Sequence, residues 1–507
     1  MIILRSPSRA NLLAAASVER QRQQRQKSLL RLLFAFLLFV PVPIFGALVV
    51  ATTVHPAKLL LLFSLLALAQ LMIAVAGELW INHGYLLSAK TLFWTSLVFF
   101  HAAGATARVT QVRVAADSLL RAGFWCLLGI AAACAAGLLV PVEQTVRFHR
   151  PIPSPRALAL STIGFLLAGT ASFAYFVNLW GWANYFLRKY SMAWLATPET
   201  GSIAAHVWRL SQLLWHLGIW MVVIGLCEFR SLRFKLLIPV VFLIVLVQAL
   251  GGTRGPLVCG LLVAMLVRHK RKPYTNLSVA LAAILAIASF GPIAVWRVHR
   301  LEAVSRLQSG ALIQESLESG CQLRVVAVAT ELFPTVYEYS WGRSYFAQTI
   351  GKVVPIVGWQ LVAGLPDQDL DPGRWITWMK MSEFFPGITI YHVGRGIPGW
   401  GYSVIAEAYQ NFGGIGVPII LALFGVTAAL LDRWFLAASL PGELIACLLI
   451  ANFLYVPRAS FSEVLDGIVI GTVVVSAMQL FCQLDSKLHL LRPAFTPPLR
   501  VNAAIRR

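Results

Sequence analysis

A short polar helix follows a glycine-rich loop near residue 400, and its side chains are candidates for chemistry. The run Gly401–Gly413 places Ser403, Glu407 and Asn411 four residues apart, and side chains at this spacing share one helix face. Ser403 suits the cap of that helix. The hydroxyl, carboxylate and amide groups predict a polar stripe facing a water-filled cavity; the alternative is an interfacial helix with a solvated Glu407.

The same region supplies two candidate bases. The Glu407 carboxylate is the first choice to take a proton from a hydroxyl, and His392 in the preceding loop is the second. Arg395 in that loop and Tyr409 on the helix are further candidates for binding substrate, together with Ser403 and Asn411.

Arg254 lies in the run Gly251–Pro256, between two apolar segments. About fourteen apolar residues separate it from Arg268, which at about 1.5 Å per residue covers roughly 21 Å, too little for a full crossing. An arginine beside a helix amino terminus is suited to binding an anion. The alternative is an arginine that reaches a lipid phosphate or an internal glutamate.

Other arginines are expected on the same side of the membrane. Arg297 and Arg300 are three residues apart after Trp296, a spacing that allows bidentate binding of a diphosphate or simple interfacial anchoring. Arg458 lies in a short link and has Glu463 as an alternative local partner. Several arginines and few lysines around one cavity predict an anionic, diphosphate-bearing lipid substrate.

Metal, nucleotide and nucleic-acid chemistry find little support. The acidic residues Asp367, Asp369 and Asp371 are more typical of a solvated turn than of a cation site, and neither a Cys/His ligand pattern nor a phosphate-binding loop is present. No metal and no cofactor are therefore expected. The net charge of +21 is explained by basic cytoplasmic segments and anionic lipid, so no nucleic acid is expected.

The elements that position these residues are predicted to be transmembrane helices. Hydrophobic residues make up 58% of the 507-residue chain and charged residues 12%, with a mean hydropathy of +0.74. The apolar blocks match the length of a membrane crossing and lack strand-like alternation, so the fold class is all-α and polytopic. About twelve spans are predicted, at 32–53, 57–77, 86–106, 119–141, 157–180, 210–227, 235–250, 254–267, 277–296, 405–431, 441–456 and 464–482.

Basic residues orient the spans, because they resist translocation. Residues 1–31 form a basic cytoplasmic tail, residues 32–296 hold spans 1–9, and residues 402–482 hold spans 10–12 before a cytoplasmic tail at 483–507. Residues 297–401 form one large external loop with nine basic and nine acidic residues. One basic group does not follow this rule, because the alternation of spans puts it on the external side. It consists of Arg108, Arg113 and Arg121.

Two motifs resemble the oligosaccharide repeat unit polymerases, the Wzy-type O-antigen polymerases of bacterial inner membranes. Gly252–Gly255 is similar to that family's Gly-Ser-Arg-Gly, and Gly401–Gly413 is similar to its Gly-x-Ser-x-x-Glu-x-Tyr-x-Asn-Phe-Gly segment. His392, Arg297 and the Asp cluster match no family motif. The resemblance implies a GT-C-like membrane glycosyltransferase, with the large loop in the periplasm, acting on undecaprenyl-diphosphate-linked oligosaccharides among membrane lipids and working with a chain-length regulator.

The reaction implied by this resemblance is glycosyl transfer. A sugar hydroxyl of an incoming repeat unit attacks the anomeric carbon of the growing glycan, and undecaprenyl diphosphate leaves. Arg254 and Arg458, with Arg297, are expected to stabilise the charge that accumulates on the diphosphate. Two rivals stay open: an O-antigen ligase, which would transfer the glycan to another acceptor such as lipid A core, and a lipid-linked oligosaccharide flippase. The sequence shows no internal repeat of the kind common in transporters.

Overall fold

The computed structural model describes most of the helical chain. The described residues are 9–51, 56–81, 86–103, 116–141, 154–186, 201–229, 231–251, 254–279, 281–282, 284–285, 292–293, 322–354, 358–370, 372–376, 402–459, 461, 465, 468–469 and 471–476. Within them the chain is helical and contains no strand. The helices are α1 (Arg9–Phe39), α2 (Pro41–Ala51), α3 (Pro56–Ile81), α4 (Ala89–Ala102), α5 (Ala116–Leu139), α6 (Pro155–Trp180), α7 (Trp182–Phe186), α8 (Gly201–Glu228), α9 (Leu232–Leu236), α10 (Ile238–Leu250), α11 (Arg254–Arg271), α12 (Gln322–Leu332), α13 (Arg343–Val353), α14 (Gly358–Val362), α15 (Asp367–Leu370), α16 (Pro372–Arg374), α17 (Val404–Ala437) and α18 (Leu440–Phe453), followed by a 3-10 turn, Val456–Arg458.

Eight of the described helical segments are long and apolar enough to cross a membrane. They are Gln21–Val50, Ala57–Ile81, Asp117–Leu139, Pro155–Trp180, Val207–Glu228, Leu232–Leu250, Val404–Ala437 and Leu440–Arg458. Each coincides with a predicted span. Two further predicted spans, 86–106 and 254–267, correspond to α4, which has 14 residues, and α11, which has four basic residues among 18. The remaining two, 277–296 and 464–482, lie largely outside the described residues.

Helix α5 is the centre of the packing. It contacts α1, α3, α12 and most extensively α17. Small residues allow the close approach: a Cβ added at Gly129 would lie 3.1 Å from Val417 of α17, and one at Gly137 would lie 2.8 Å from the Trp94 ring of α4. Glycine and alanine at helix contacts are typical of membrane interiors, where association depends on close packing. A second group of helices, α6, α8, α11 and α18, packs pairwise beside it.

Buried ion pairs join the ends of three helices. At the end of α3, Glu78 lies 2.6 Å from Lys90 at the start of α4, and the carboxylate of Asp432 in α17 accepts hydrogen bonds from the amides of Ala89 and Lys90. Ser403, which precedes α17, lies beside His101 at the end of α4, whereas Asp432 near the end of α17 lies beside the start of α4. The two helices therefore run antiparallel. The predicted alternation of spans puts the ends that bear Glu78, Lys90 and Asp432 on one side of the membrane.

A second ion-paired group joins three other ends in the same way. Arg271 at the end of α11 lies 2.6 Å from Glu443 at the start of α18 and 2.9 Å from Glu228 at the end of α8, and Lys270 lies 2.9 Å from Glu443. A partner on each side offsets the cost of burying these charges. The predicted alternation again puts all three ends on one side.

The region predicted as one large external loop contains helices. Residues 322–376 include α12 to α16, and α12 is not a surface element: Val325, Val326, Ala327, Val328 and Ala329 are all fully buried. It packs against α5, α17 and α4. This helix was not predicted from the sequence, because the segment is too short and too mixed in polarity to stand out as a span.

Candidate active site

Helix α17 is broken at Gly413, directly after the polar stripe. Gly413 has φ 65° and ψ −157°, a conformation that a residue with a Cβ rarely adopts. A Cβ there would also lie 2.9 Å from the Tyr339 ring. The break separates a polar amino-terminal part, residues 404–412, from the apolar part that follows.

The carbonyl groups freed by this break are bound by a turn from the region before α13. Ser340 N donates to Gln410 O at 3.0 Å, and Trp341 N donates to Asn411 O at 2.9 Å. Backbone groups buried in a membrane protein need such partners. The break in α17 and the turn at 340–342 therefore stabilise one another.

The Asn411 side chain also joins the broken part of α17 to the turn at 340–342 and to α13. Its Oδ1 accepts from Gly342 N at 3.0 Å, and its Nδ2 donates to Ser344 Oγ at 2.7 Å and to Glu407 O at 2.8 Å. Both amide hydrogens are thus used within the protein. Asn411 was predicted to bind substrate, which stays a prediction; in the structure its amide joins the break in α17 to the turn before α13.

Glu407 is fully buried, and both of its oxygens accept hydrogen bonds. Gln348 of α13 donates to Oε1 at 3.1 Å, and the backbone amide of Phe461 donates to Oε2 at 2.9 Å. Phe461 comes three residues after Arg458. The carboxylate therefore ties α13 and the turn that bears Arg458 to the polar part of α17.

Ser403 begins α17 and contacts α4. Its Oγ accepts from the amides of Ile405 and Ala406, each at 3.2 Å, as predicted for a helix cap. It also lies 2.8 Å from Nε2 of His101, whose Nδ1 lies 2.9 Å from Leu97 O. His101 was not singled out from the sequence, because a histidine inside an apolar run has no local signal.

Arg458 is a buried guanidinium at this end of the helices. It is 7% exposed, its Cζ lies 5.8 Å from the centre of the Phe100 ring, and its Nε has no hydrogen-bond partner among the described residues. The start of α11 packs on the same short segment, since a Cβ at Gly255 would lie 2.5 Å from Tyr455, three residues before Arg458. A buried guanidinium with an unused hydrogen-bond donor is suited to binding an anion.

Tyr409 and Tyr345 complete the aromatic surroundings. Tyr409 is 7% exposed and packs near Trp125 and Tyr339, with ring centres 6.0 and 6.1 Å away. Tyr345 of α13 stacks on Phe412, and its hydroxyl is buried with no hydrogen-bond partner in the described part of the chain. Burial, together with the charge of Glu407, raises the pKa of Tyr345 well above its usual range, so the phenol keeps its proton.

Several predicted site residues lie outside the described structure. These are His392, Arg297, Arg300 and Arg395; α11 begins at Arg254, whose side chain is not described. Of the acidic cluster, Asp369 is fully buried and lies 3.2 Å from Arg343 Nε, Asp367 is exposed, and Asp371 is outside. In the described residues no group of three His, Cys, Asp or Glu is arranged to hold a metal ion.

Fold and site together define a polytopic helical membrane protein with a buried polar centre at a broken helix. The family model for O-antigen polysaccharide polymerase Wzy matches residues 166–487, more than half of the chain. The chain therefore belongs to this family, which confirms the resemblance seen in the two motifs and makes it a membrane enzyme of polysaccharide polymerisation. No curated protein and no solved structure gives a match.

The matched range includes both motifs, Arg458 and the helices α12 to α18. It does not include α4 and α5. His101 and Phe100 of α4 are therefore contributions of the preceding part of the chain to the site.

Proposed function

We propose that this protein polymerises undecaprenyl-diphosphate-linked oligosaccharide repeat units into O-antigen or a similar surface polysaccharide. The proposal places the reaction at the periplasmic face of the bacterial inner membrane. One observation supports it above all: the guanidinium of Arg458 is buried 5.8 Å from the centre of the Phe100 ring, and its Nε has no hydrogen-bond partner among the described residues. Arg254 begins α11, whose first turn packs on Tyr455, and we propose that Arg254 binds the same diphosphate as Arg458.

The proposed reaction forms one glycosidic bond and breaks one bond to the diphosphate. The acceptor hydroxyl oxygen forms a bond to the anomeric carbon, the bond from that carbon to the diphosphate oxygen breaks, and its electron pair leaves with undecaprenyl diphosphate. The hydroxyl proton passes to a base. Fixed guanidinium donors lower the barrier, because negative charge grows on the diphosphate in the transition state. Arg297, Arg300 and Arg395 are proposed to extend the anion site or to bind sugars.

Two residues, Glu407 and His392, are candidates for the base that takes the hydroxyl proton. Each oxygen of Glu407 already accepts a hydrogen bond, from Gln348 and from Phe461 N, so a base role would have to use a remaining lone pair of this buried carboxylate. His392, which lies outside the described residues, stays the second candidate for the base. We propose that Glu407 also positions the turn that bears Arg458, because one of its oxygens accepts from Phe461 N.

Two features support the proposed orientation. The ion pairs around Lys90 and Arg271 bring together helix ends that the alternation of spans puts in the cytoplasm. The polar centre lies at the opposite end of α4 and α17, where His101 meets Ser403. A centre at that end would face the periplasm and reach lipid-linked units after translocation.

The test is polymer formation by the purified full-length protein in proteoliposomes supplied with undecaprenyl-diphosphate repeat units. The variants are Arg458→Ala and a matched control, Arg433→Ala, an exposed arginine near the other end of α17. We expect a ladder of polymer lengths from the wild type and the control, and none from Arg458→Ala. Transfer of one finished glycan to lipid A core would indicate a ligase, and movement of the units across the bilayer without transfer would indicate a flippase.

A further inference from the structure

Trp341 occupies an unusual backbone conformation in the turn that binds the break in α17. Its φ is 48°, and the following Gly342 has φ 83°. Among non-glycine residues in the described part of the chain, Trp341 alone has a positive φ. A bulky side chain is disfavoured there, whereas glycine or asparagine adopts this conformation readily.

The surroundings hold Trp341 in this conformation. Three successive amides, those of Ser340, Trp341 and Gly342, donate to Gln410 O, Asn411 O and Asn411 Oδ1. Arg343 N then donates to Ser340 O at 2.9 Å and starts α13. The turn is thus anchored to the polar part of α17 at the site itself.

The Trp341 side chain does not contribute to the core. It is 70% exposed, so neither burial nor the backbone accounts for a tryptophan at this position. Residues kept in a strained conformation without a packing gain are concentrated at functional sites.

Trp341 is the outer member of a row of aromatic rings. Its ring meets Tyr339 nearly at a right angle, at 83° and 6.1 Å between centres. Tyr339 meets Tyr409 in the same manner, at 77° and 6.1 Å, and Tyr409 contacts Trp125 of α5. The row runs from an exposed ring down to the buried stripe of α17, which fixes the indole relative to the candidate active site.

We propose that Trp341 is a binding platform for a sugar ring of the glycan substrate. The C–H groups on one face of a pyranose carry partial positive charge and pack on the negatively charged face of an aromatic ring. The hydrogen bonds of the turn already hold the backbone of Trp341, so only its side-chain torsions lose freedom when the sugar binds. This inference rests on the proposed function, which supplies an oligosaccharide as the ligand.

A lipid contact is the competing occupant. Tryptophan is common at membrane interfaces, where its ring lies among lipid headgroups. An interfacial anchor gains nothing from a strained backbone or from attachment to the broken helix. Trp80 of α3 is 69% exposed on an ordinary helix, so it serves as the matched control.

The experiment measures binding without catalysis. The full-length protein in nanodiscs is titrated with the repeat-unit oligosaccharide of the same bacterium, released from its lipid, and binding is followed by calorimetry. The variants are Trp341→Asn, which suits a positive φ, Trp341→Phe, which keeps a ring, and Trp80→Asn. We expect Trp341→Asn to weaken binding about threefold to tenfold, Trp341→Phe to keep most of the affinity, and Trp80→Asn to match the wild type.

A second measurement identifies a lipid contact. Nanodiscs with brominated acyl chains quench tryptophans that touch lipid, and the difference between wild type and Trp341→Phe isolates the fluorescence of Trp341. Unquenched fluorescence is expected. Equal affinity of Trp341→Asn and wild type, no binding by the wild type, or quenching with unchanged affinity would each overturn the platform.

The two proposals fail separately. Binding that depends on Trp341, in a protein that forms no polymer from lipid-linked units, would overturn the proposed polymerase activity and leave the sugar platform standing. A polymer ladder from the wild type, with binding indifferent to Trp341, would do the reverse.

Discussion

The Oγ of Ser403 lies 2.8 Å from Nε2 of His101, and this contact joins the start of α17 to the end of α4. Since Ser403 Oγ also accepts from two backbone amides, its own hydrogen is available to His101. His101 Nδ1 then donates to Leu97 O. At the other end of the same helix pair, Asp432 accepts from Ala89 and Lys90. The antiparallel pair is therefore fixed at both ends.

Ser403→Ala is expected to lower stability. The substitution removes a helix cap, at a cost of about 1 kcal/mol, and leaves Nε2 of the buried His101 without its partner, which costs about 1–3 kcal/mol more. Ser403→Thr keeps the hydroxyl and should stay within about 1 kcal/mol of the wild type. Thermal unfolding in detergent measures the difference. Equal midpoints for the alanine and threonine variants would contradict the role given to this contact.

The elements of the fold were largely predictable, and their contacts were not. Long apolar blocks specify membrane helices because the hydrocarbon core sets their length, and each of the eight long helices was predicted. The short helix α12 was missed, since its eleven residues mix polar and apolar side chains. Charge clusters predicted which helix ends belong together, yet not that Glu443 would bind both Lys270 and Arg271.

In the candidate site, too, the local structure was predictable from the sequence and the long-range contacts were not. The spacing of Ser403, Glu407 and Asn411 predicted one polar face on a capped helix, and the cap is present. Their partners come from α4, from residues 340–348 and from Phe461, some 50 to 300 positions away in sequence, so no local pattern could reveal them. The stripe consequently faces protein donors and acceptors. A cavity was inferred from polarity alone, which cannot distinguish these two environments.

Glu407→Gln separates positioning from base catalysis. One amide cannot accept from both Gln348 and Phe461 N, so the turn that bears Arg458 is expected to shift. We predict a KM for the lipid-linked donor that rises about tenfold, with the shape of the pH–rate profile unchanged. Loss of a general base would instead lower kcat by about 10²–10⁴ and remove the acidic limb of the profile.

Gln348→Ala is the matched variant for this test. It removes one contact of the Glu407 carboxylate and leaves the carboxylate in place. A positioning role predicts that it raises KM in the same direction as Glu407→Gln. A base role predicts that kcat survives in Gln348→Ala and collapses in Glu407→Gln.

Gly413→Ala should disrupt the break in α17. The new Cβ meets the Tyr339 ring at 2.9 Å, in a backbone conformation that alanine avoids. We expect a loss of about 1–3 kcal/mol of stability, together with loss of polymer formation. Gly164→Ala in α6 is the control, because a Cβ there meets nothing within 4 Å. Normal stability and activity in Gly413→Ala would show that the break is not required.

Lys90→Met should destabilise the opposite end of α4. The substitution leaves the carboxylates of Glu78 and Asp432 buried together without their cation, and breaking a buried ion pair costs about 3–5 kcal/mol. The double variant Lys90→Met/Glu78→Gln removes one of the two charges and should recover part of the loss. Lys58→Met, at an exposed lysine of α3, is the control. Unfolding midpoints that do not rank in this order would contradict the ion pair.

Phe100→Leu tests the anion site without altering an arginine. The guanidinium of Arg458 lies 5.8 Å from the Phe100 ring centre, and a cation over an aromatic face is stabilised by roughly 0.5–2 kcal/mol. Removing the ring releases the guanidinium from the orientation in which it would meet a diphosphate. Binding of undecaprenyl diphosphate is therefore expected to weaken about twofold to thirtyfold, and Phe100→Tyr should preserve it.

Phe99→Leu is the matched control, because Phe99 packs on Phe100 from the neighbouring position. Equal affinities for the two leucine variants would mean that the ring does not position Arg458, and the diphosphate would then have to be assigned to Arg254 and the other arginines.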